Sequence, residues 1–96
     1  MDKNIRHVES KDDGSFFYDQ DGQQIGEMHY RVADENKIVI DHTEVDEEEE
    51  GHGIGKKLLA ELVTFVREKN IKVVPQCTFA HVTLQRTKEW QDVVYK

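Results

Sequence analysis

The strongest constraint on how this chain can fold is one helix-length apolar stripe that begins at a cluster of glycines. Ile54, Leu58, Leu59, Leu62, Val63, Phe65 and Val66 recur at the spacing of a single helical face. Arg67 and Lys69 near its end suit the negative pole of the helix dipole, and Asn70 suits a left-handed stop. An amphipathic helix must bury its stripe against another layer. With one such helix in 96 residues, that layer has to come from strands.

The flanking segments supply them. Ile5 to Glu9 alternates apolar and polar residues and reads as a strand, followed by a polar turn at Lys11-Asp12-Asp13-Gly14. Ser15 to Tyr18 is a second strand, and Asp21-Gly22 after it is a hairpin signal because both residues tolerate positive φ. A third strand runs from about Gln24 to Val32. A turn at Ala33-Asp34-Glu35-Asn36 leads into the β-branched run Lys37 to Val45, the fourth strand. Beyond the helix, Ile71 to Pro75 reads as a short fifth strand. A right-handed strand, helix, strand crossover sets it parallel to an earlier one. A short helix from Thr78 to about Thr87 and an anchor of Trp90, Val93, Val94 and Tyr95 complete the chain. The expected fold class is therefore α/β in the α+β sense: a mostly antiparallel mixed sheet, a main crossover helix and a short C-terminal helix. Residues 1–96 are expected to form one domain, since chains of this length rarely divide.

Composition narrows the function. With 36% hydrophobic and 34% charged residues the core must be small, so a deep enclosed site is not expected. The net charge of −7 argues against a nucleic-acid partner, which needs clustered Lys and Arg. Five of the negatives form one run, Asp46-Glu47-Glu48-Glu49-Glu50, so the acidity is local. Cys77 is the only cysteine and has no internal disulfide partner. Met1 to Arg6 lacks a signal peptide's apolar stretch, and no run approaches the ~20 apolar residues of a membrane span. A cytoplasmic, reducing setting without a membrane partner is expected.

The segment most suggestive of chemistry is Glu50-Gly51-His52-Gly53-Ile54-Gly55-Lys56, between the fourth strand and the main helix. Alternate glycines at a helix start let backbone N–H groups converge on an anion at the positive dipole end, although glycines also serve plain tight turns. Two familiar phosphate loops fail on spacing. The Rossmann pattern would need glycine at Lys56 or Leu58. The Walker pattern would need glycine at Glu50 and Ser or Thr at Lys57.

The segment does resemble the pyrophosphate loop of the GNAT superfamily of N-acetyltransferases, Q/R-x-x-G-x-G/A at the start of a helix, with Gly53 and Gly55 at the two glycine positions. The ordered trio His42-Thr43-Glu44-Val45, Gly51 to Leu58, and Val74-Pro75-Gln76-Cys77-Thr78-Phe79 looks like the very short, single-domain acetyl-CoA-binding members with a cysteine after the fifth strand. This resemblance covers nearly the whole chain.

It implies that strands four and five splay apart. The pantetheine arm of acetyl-CoA, or of coenzyme A, would pair with backbone around Thr43, Glu44 and Val45. The pyrophosphate would rest on Gly51, His52, Gly53, Ile54, Gly55 and Lys56. Acetyl would then move to an amine. Cys77 would lie near the thioester as acetyl acceptor, ligand contact or inert thiol, a helix beginning near Thr78 favouring its thiolate. For direct attack Glu44 is the positional base, with His42 on its strand face and His81 four residues after Cys77 as further titratable groups. A zinc site from His42, Cys77 and His81 lacks paired-ligand spacing, so no metal is expected.

The chain departs from the pattern in two places. Glu50 replaces the usual Gln or Arg, and the acidic run reads as a solvated loop whose repulsion Lys56, Lys57 and a protonated His52 would offset. The fuller fold carries helices between its first two strands, where this chain has only Lys11 to Gly14. The open site that results suits a large acceptor such as a protein lysine or N-terminus. A non-catalytic coenzyme A sensor or carrier is the alternative, and an interaction domain engaging a basic protein is a third class.

Overall fold

The computed structural model describes residues 3–96. Five strands, β1 (Ile5–Glu9), β2 (Asp13–Gln20), β3 (Gln23–Asp34), β4 (Lys37–Val45) and β5 (Lys72–Pro75), lie side by side in chain order. The first four pair antiparallel, and β5 runs parallel to β4, joined through helix α1 (Ile54–Lys69). A second helix, α2 (Thr78–Arg86), and a 3-10 segment, Lys88–Val93, follow. Asn70 ends α1 with φ 60°, the left-handed stop expected of it.

The helical stripe is buried as its spacing requires. Leu58, Leu59, Leu62 and Val66 are wholly shielded from solvent and pack with Phe16, Met28, Ile40 and other inward residues of the sheet. Each such side chain contributes roughly 1.5–3 kcal/mol relative to exposure. Ala80 and Leu84 of α2 and Val93 join the same cluster, while Phe17 and Val39, of opposite parity on their strands, do not. The described helices thus cover one face of the sheet.

One expectation is corrected. Asp13 and Gly14 are not turn residues but the start of β2, paired with Arg31 and Tyr30. A Cβ on Gly14 would lie 2.3 Å from the Tyr30 hydroxyl, so this glycine makes room for a ring laid across the strand.

Two irregularities position the rest. Pairing of β3 with β4 shifts between His29 and Tyr30, whose partners are His42 and Ile40, leaving Asp41 as an extra bulged residue. Pairing of β4 with β5 runs only from Lys37 opposite Lys72 to Ile40 opposite Pro75. The two strands therefore separate immediately before the bulge. The expected splay is present.

Candidate functional site

Beyond Ile40 the outer edge of β4 has no strand partner among the described residues, and the gap opens into a cleft of about 600 Å³. Thr43, Glu44 and Val45 form one wall. Glu49, Glu50, Gly51 and Gly53 of the following loop, Ile54, Gly55 and Lys56 of α1, and Phe79 of α2 form the others.

The loop is built by its backbone. After a 3-10 turn at Glu47–Glu49, Gly51 and Gly53 adopt φ of 88° and 76°, and Gly53 caps α1 in the left-handed region. A side chain is disfavoured there by about 1–2 kcal/mol. The amide of His52 donates to the Glu49 carbonyl and that of Lys57 to the Gly53 carbonyl. Among the described residues, no backbone carbonyl receives the amides of Gly51, Gly53, Ile54, Gly55 or Lys56. These five donors lie at the positive end of α1, an arrangement suited to an anion.

Gly55 has a different reason to be glycine. It is buried in the first turn of α1, and a Cβ there would lie 2.7 Å from Cζ of Phe79. Phe79, an exposed residue, lays its ring on the helix start and gives the cleft an apolar wall. Sequence reasoning missed this residue as part of the site. A glycine facing an aromatic twenty-four positions later leaves no local pattern to read.

The acidic run is only partly turned outward. Asp46, Glu47, Glu48 and Glu50 are exposed and Glu49 is half-buried, yet Glu49 and Glu50 also line the cleft, with the Glu49 carboxylate 3.5 Å from Nδ1 of His52. His52 itself is exposed and does not line it. Lys56 does, whereas Lys57 extends over the Tyr18 ring.

Cys77 caps α2 at the inner end of the fork. Its amide and that of Gln76 both donate to the Ile40 carbonyl at 3.0 Å. Its Sγ accepts the Ala80 N–H at 3.4 Å and lies 3.2 Å from Thr43 Oγ1. The other candidates scatter. His42 sits beside Glu44 at 3.8 Å on the exposed part of β4. His81 is exposed and meets Cys77 through its backbone amide, which donates to the Cys77 carbonyl, with no side-chain hydrogen bond to the thiol.

Residues 15–93 match the sequence profile of a family described as GCN5-related N-acetyl-transferase. The solution structure of a GCN5-like protein from Staphylococcus aureus is 36% identical, with a TM-score of 0.75 over 97% of this chain and 90% of that one. A GNAT family acetyltransferase from Elizabethkingia anophelis with acetyl-CoA bound is 19% identical, with a TM-score of 0.65 over 78% of this chain and 52% of that one. GCN5 of Tetrahymena shares 16% identity and a TM-score of 0.67, over 91% of this chain and 63% of that one. The chain thus spans about half to two-thirds of these two larger proteins, whose likeness is one of fold. No curated protein sequence matches it.

Proposed function

The chain belongs to the GCN5-related N-acetyl-transferase family, and from that premise we propose that it binds acetyl-CoA in the cleft between β4 and α1 and transfers the acetyl group to an amine. The observation that carries this reading is the convergence of two sets of unpaired backbone groups on one cleft. The amides of Gly51 and Gly53 to Lys56 suit a diphosphate, and the free edge of β4 at Thr43, Glu44 and Val45 suits the amide-bearing pantetheine arm. His52, exposed and outside the cleft lining, has no contact role in this reading. Lys56 supplies a cation, and Glu49 and Glu50 weaken affinity by like-charge repulsion.

Cys77 is the proposed acetyl carrier. Its sulfur would bond to the acetyl carbonyl carbon as the bond to the coenzyme A sulfur breaks. An amine nitrogen would then displace Cys77 in the same way. What supports this reading is that the sulfur already accepts the Ala80 N–H and lies beside the Thr43 hydroxyl.

The test is a titration with coenzyme A and acetyl-CoA followed by amide NMR, then intact mass. The expected result is shifts at Gly51 and Gly53 to Lys56, and an acetylated protein that Cys77→Ala abolishes. No shift at these amides with millimolar ligand would overturn the cofactor reading. Binding without acetylation of Cys77 or of any added amine would instead favour the sensor or carrier role.

A further inference from the structure

On the face of the sheet that the helices leave uncovered, one imidazole is held between two carboxylates. Nδ1 of His29 is 2.7 Å from Oδ1 of Asp41, and Nε2 is 2.9 Å from Oδ2 of Asp13. The carboxylates come from β4 and β2, on either side of β3, so the ring ties three strands together. At the outer end Ser10 Oγ donates to Oδ1 of Asp13 at 2.8 Å and fixes that carboxylate. A neutral imidazole has one N–H and one lone pair, and the lone pair would then face an ionised carboxylate at hydrogen-bond distance. The complete bridge is therefore an imidazolium donating at both nitrogens, a pair of charge-assisted hydrogen bonds. Among the described residues no His, Cys, Asp or Glu cluster has the form of a metal site.

What the bridge holds is the bulge of β4. Before it Val39 pairs with Arg31 and Ile40 with Tyr30; after it His42 pairs with His29, Thr43 with Met28, Glu44 with Glu27 and Val45 with Gly26. Asp41 is the extra residue, and it shifts the alternation of β4 by one. Ile38 and Ile40 point to the helices, and beyond the bulge Thr43 and Val45 do so too: Thr43 Oγ1 lies 3.2 Å from the Cys77 sulfur, and Val45 packs on the core. Without the extra residue, the alternation from Ile40 would send His42 and Glu44 to the helix side and turn Thr43 and Val45 away. The backbone N–H and C=O groups presented along the free edge would exchange in the same way. Arg31 extends the network to the point where the strands part. Its Nε lies 3.9 Å from Oδ2 of Asp41, and its Nη2 donates at 3.3 Å to Oε1 of Gln76, whose amide donates to the Ile40 carbonyl.

We propose that His29 is a positioning residue for the cleft. As an imidazolium it clamps Asp41 to Asp13 and keeps β4 in the bulged register that presents Thr43, Glu44 and Val45. When the ring releases a proton to solvent it keeps one N–H for two carboxylates, the clamp opens, and the cleft loses affinity for coenzyme A. The ligand half of this proposal rests on the acetyl-CoA reading above, and the clamp itself does not.

Burial draws the His29 pKa down, but hydrogen bonds to Asp13 and Asp41 outweigh it and hold the value above the ordinary one. The charged and titratable groups around the ring on this face include Asp13 of β2, Glu27 and Arg31 of β3, and Asp41, His42 and Glu44 of β4. The clamp is closed below the folded value and opens as pH climbs through it. Reciprocity adds a second consequence: a ligand that prefers the bulged register must strengthen the ring's hold on its proton.

The experiment is an NMR pH titration of the isotope-labelled protein without ligand, followed by coenzyme A titrations at pH 6 and at a pH above the His29 midpoint. The ring nitrogens of His29 should report a doubly protonated imidazolium at pH 6, and the amides of His42 to Val45 should move with the same midpoint as the ring. Asp13→Asn takes one carboxylate from the ring without altering β4, so it should lower that midpoint at the ring and at the strand amides together. Above the midpoint the parent's affinity for coenzyme A, taken as a ratio to that of His29→Gln, should fall about threefold to tenfold. The ratio removes the titration of the ligand's own phosphates. Saturating coenzyme A should raise the midpoint. Strand amides that do not follow the ring, a midpoint unmoved by Asp13→Asn, or an affinity ratio that does not fall each overturns the proposal. A parent that binds no coenzyme A at pH 6 strikes the cofactor reading and with it the ligand half, while the ligand-free titration decides the clamp.

Discussion

Gly53 and Gly55 are two residues apart, yet alanine at each should fail in a different way. At Gly53, φ is 76° and an added Cβ would meet nothing within 4 Å, so the whole effect is backbone strain of about 1–2 kcal/mol. For a domain of this size that lowers the melting temperature by roughly 4–8 °C per kcal/mol. At Gly55 the backbone is already helical, and alanine gains about 0.8–1 kcal/mol of helix propensity. The same Cβ lies 2.7, 3.1 and 3.2 Å from three ring atoms of Phe79, too close to persist. Those atoms are the far end of a ring that is 39% exposed, so the ring moves rather than the helix. The propensity gain and the lost ring contact then nearly cancel, leaving stability within about 1 kcal/mol of the parent. What changes is the wall of the cleft. Thermal melts should rank Gly53→Ala below Gly55→Ala, while coenzyme A titration and the Phe79 ring resonances should show the larger disturbance for Gly55→Ala. In a Phe79→Ala background Gly55→Ala should become plainly stabilising, a coupling that a double-mutant cycle measures. A Gly55→Ala protein that melts below Gly53→Ala, or that keeps its Phe79 resonances and affinity, refutes the reasoning.

Leu62→Ala removes a wholly buried side chain of α1 and should cost about 2–5 kcal/mol in urea unfolding, a large part of the roughly 5–15 kcal/mol available. His7 stacks on Phe16 at 4.0 Å with Nε2 2.7 Å from the Tyr30 hydroxyl, and burial holds its pKa below the ordinary value. Because its folded value is the lower one, its contribution is complete above about pH 6.5 and is lost as pH falls toward the folded value. His7→Phe should flatten that acid-side loss in unfolding midpoints taken between pH 7 and 5. His29 has the opposite sign: its raised value adds stability below about pH 6.5 that disappears as pH climbs through the folded value. Arg67→Ala breaks a two-nitrogen contact to Asp92 at 2.9 and 2.7 Å and should loosen amide protection in Lys88–Val93. At this exposed site the unfolding midpoint should move little.

The strand order, the crossover helix and its Asn70 stop were legible because each rests on local periodicity or on a residue with one strong conformational preference. The glycines show where that legibility ends. Asp13-Gly14 has the composition of a turn and Gly55 that of a phosphate loop, but both glycines answer to rings, Tyr30 and Phe79, brought over them by tertiary packing. A sequence records that a side chain is missing, not whether the space or the torsion required it. The bulge at Asp41 was equally hidden. It depends on how β4 matches β3 across the sheet, and it turns Asp41 and His29 toward each other when nothing in their spacing of twelve residues suggests it.

The carbonyl of Ile40, which accepts from two successive amides, has a mechanical consequence. Both bonds end on one oxygen at the last rung of the ladder that joins β4 to β5, so the point where the strands part is tied twice. Widening the cleft at its inner end strains both bonds at once. Opening it means losing both contacts together, and hydrogen exchange at Gln76 and Cys77 should then rise and fall as a pair.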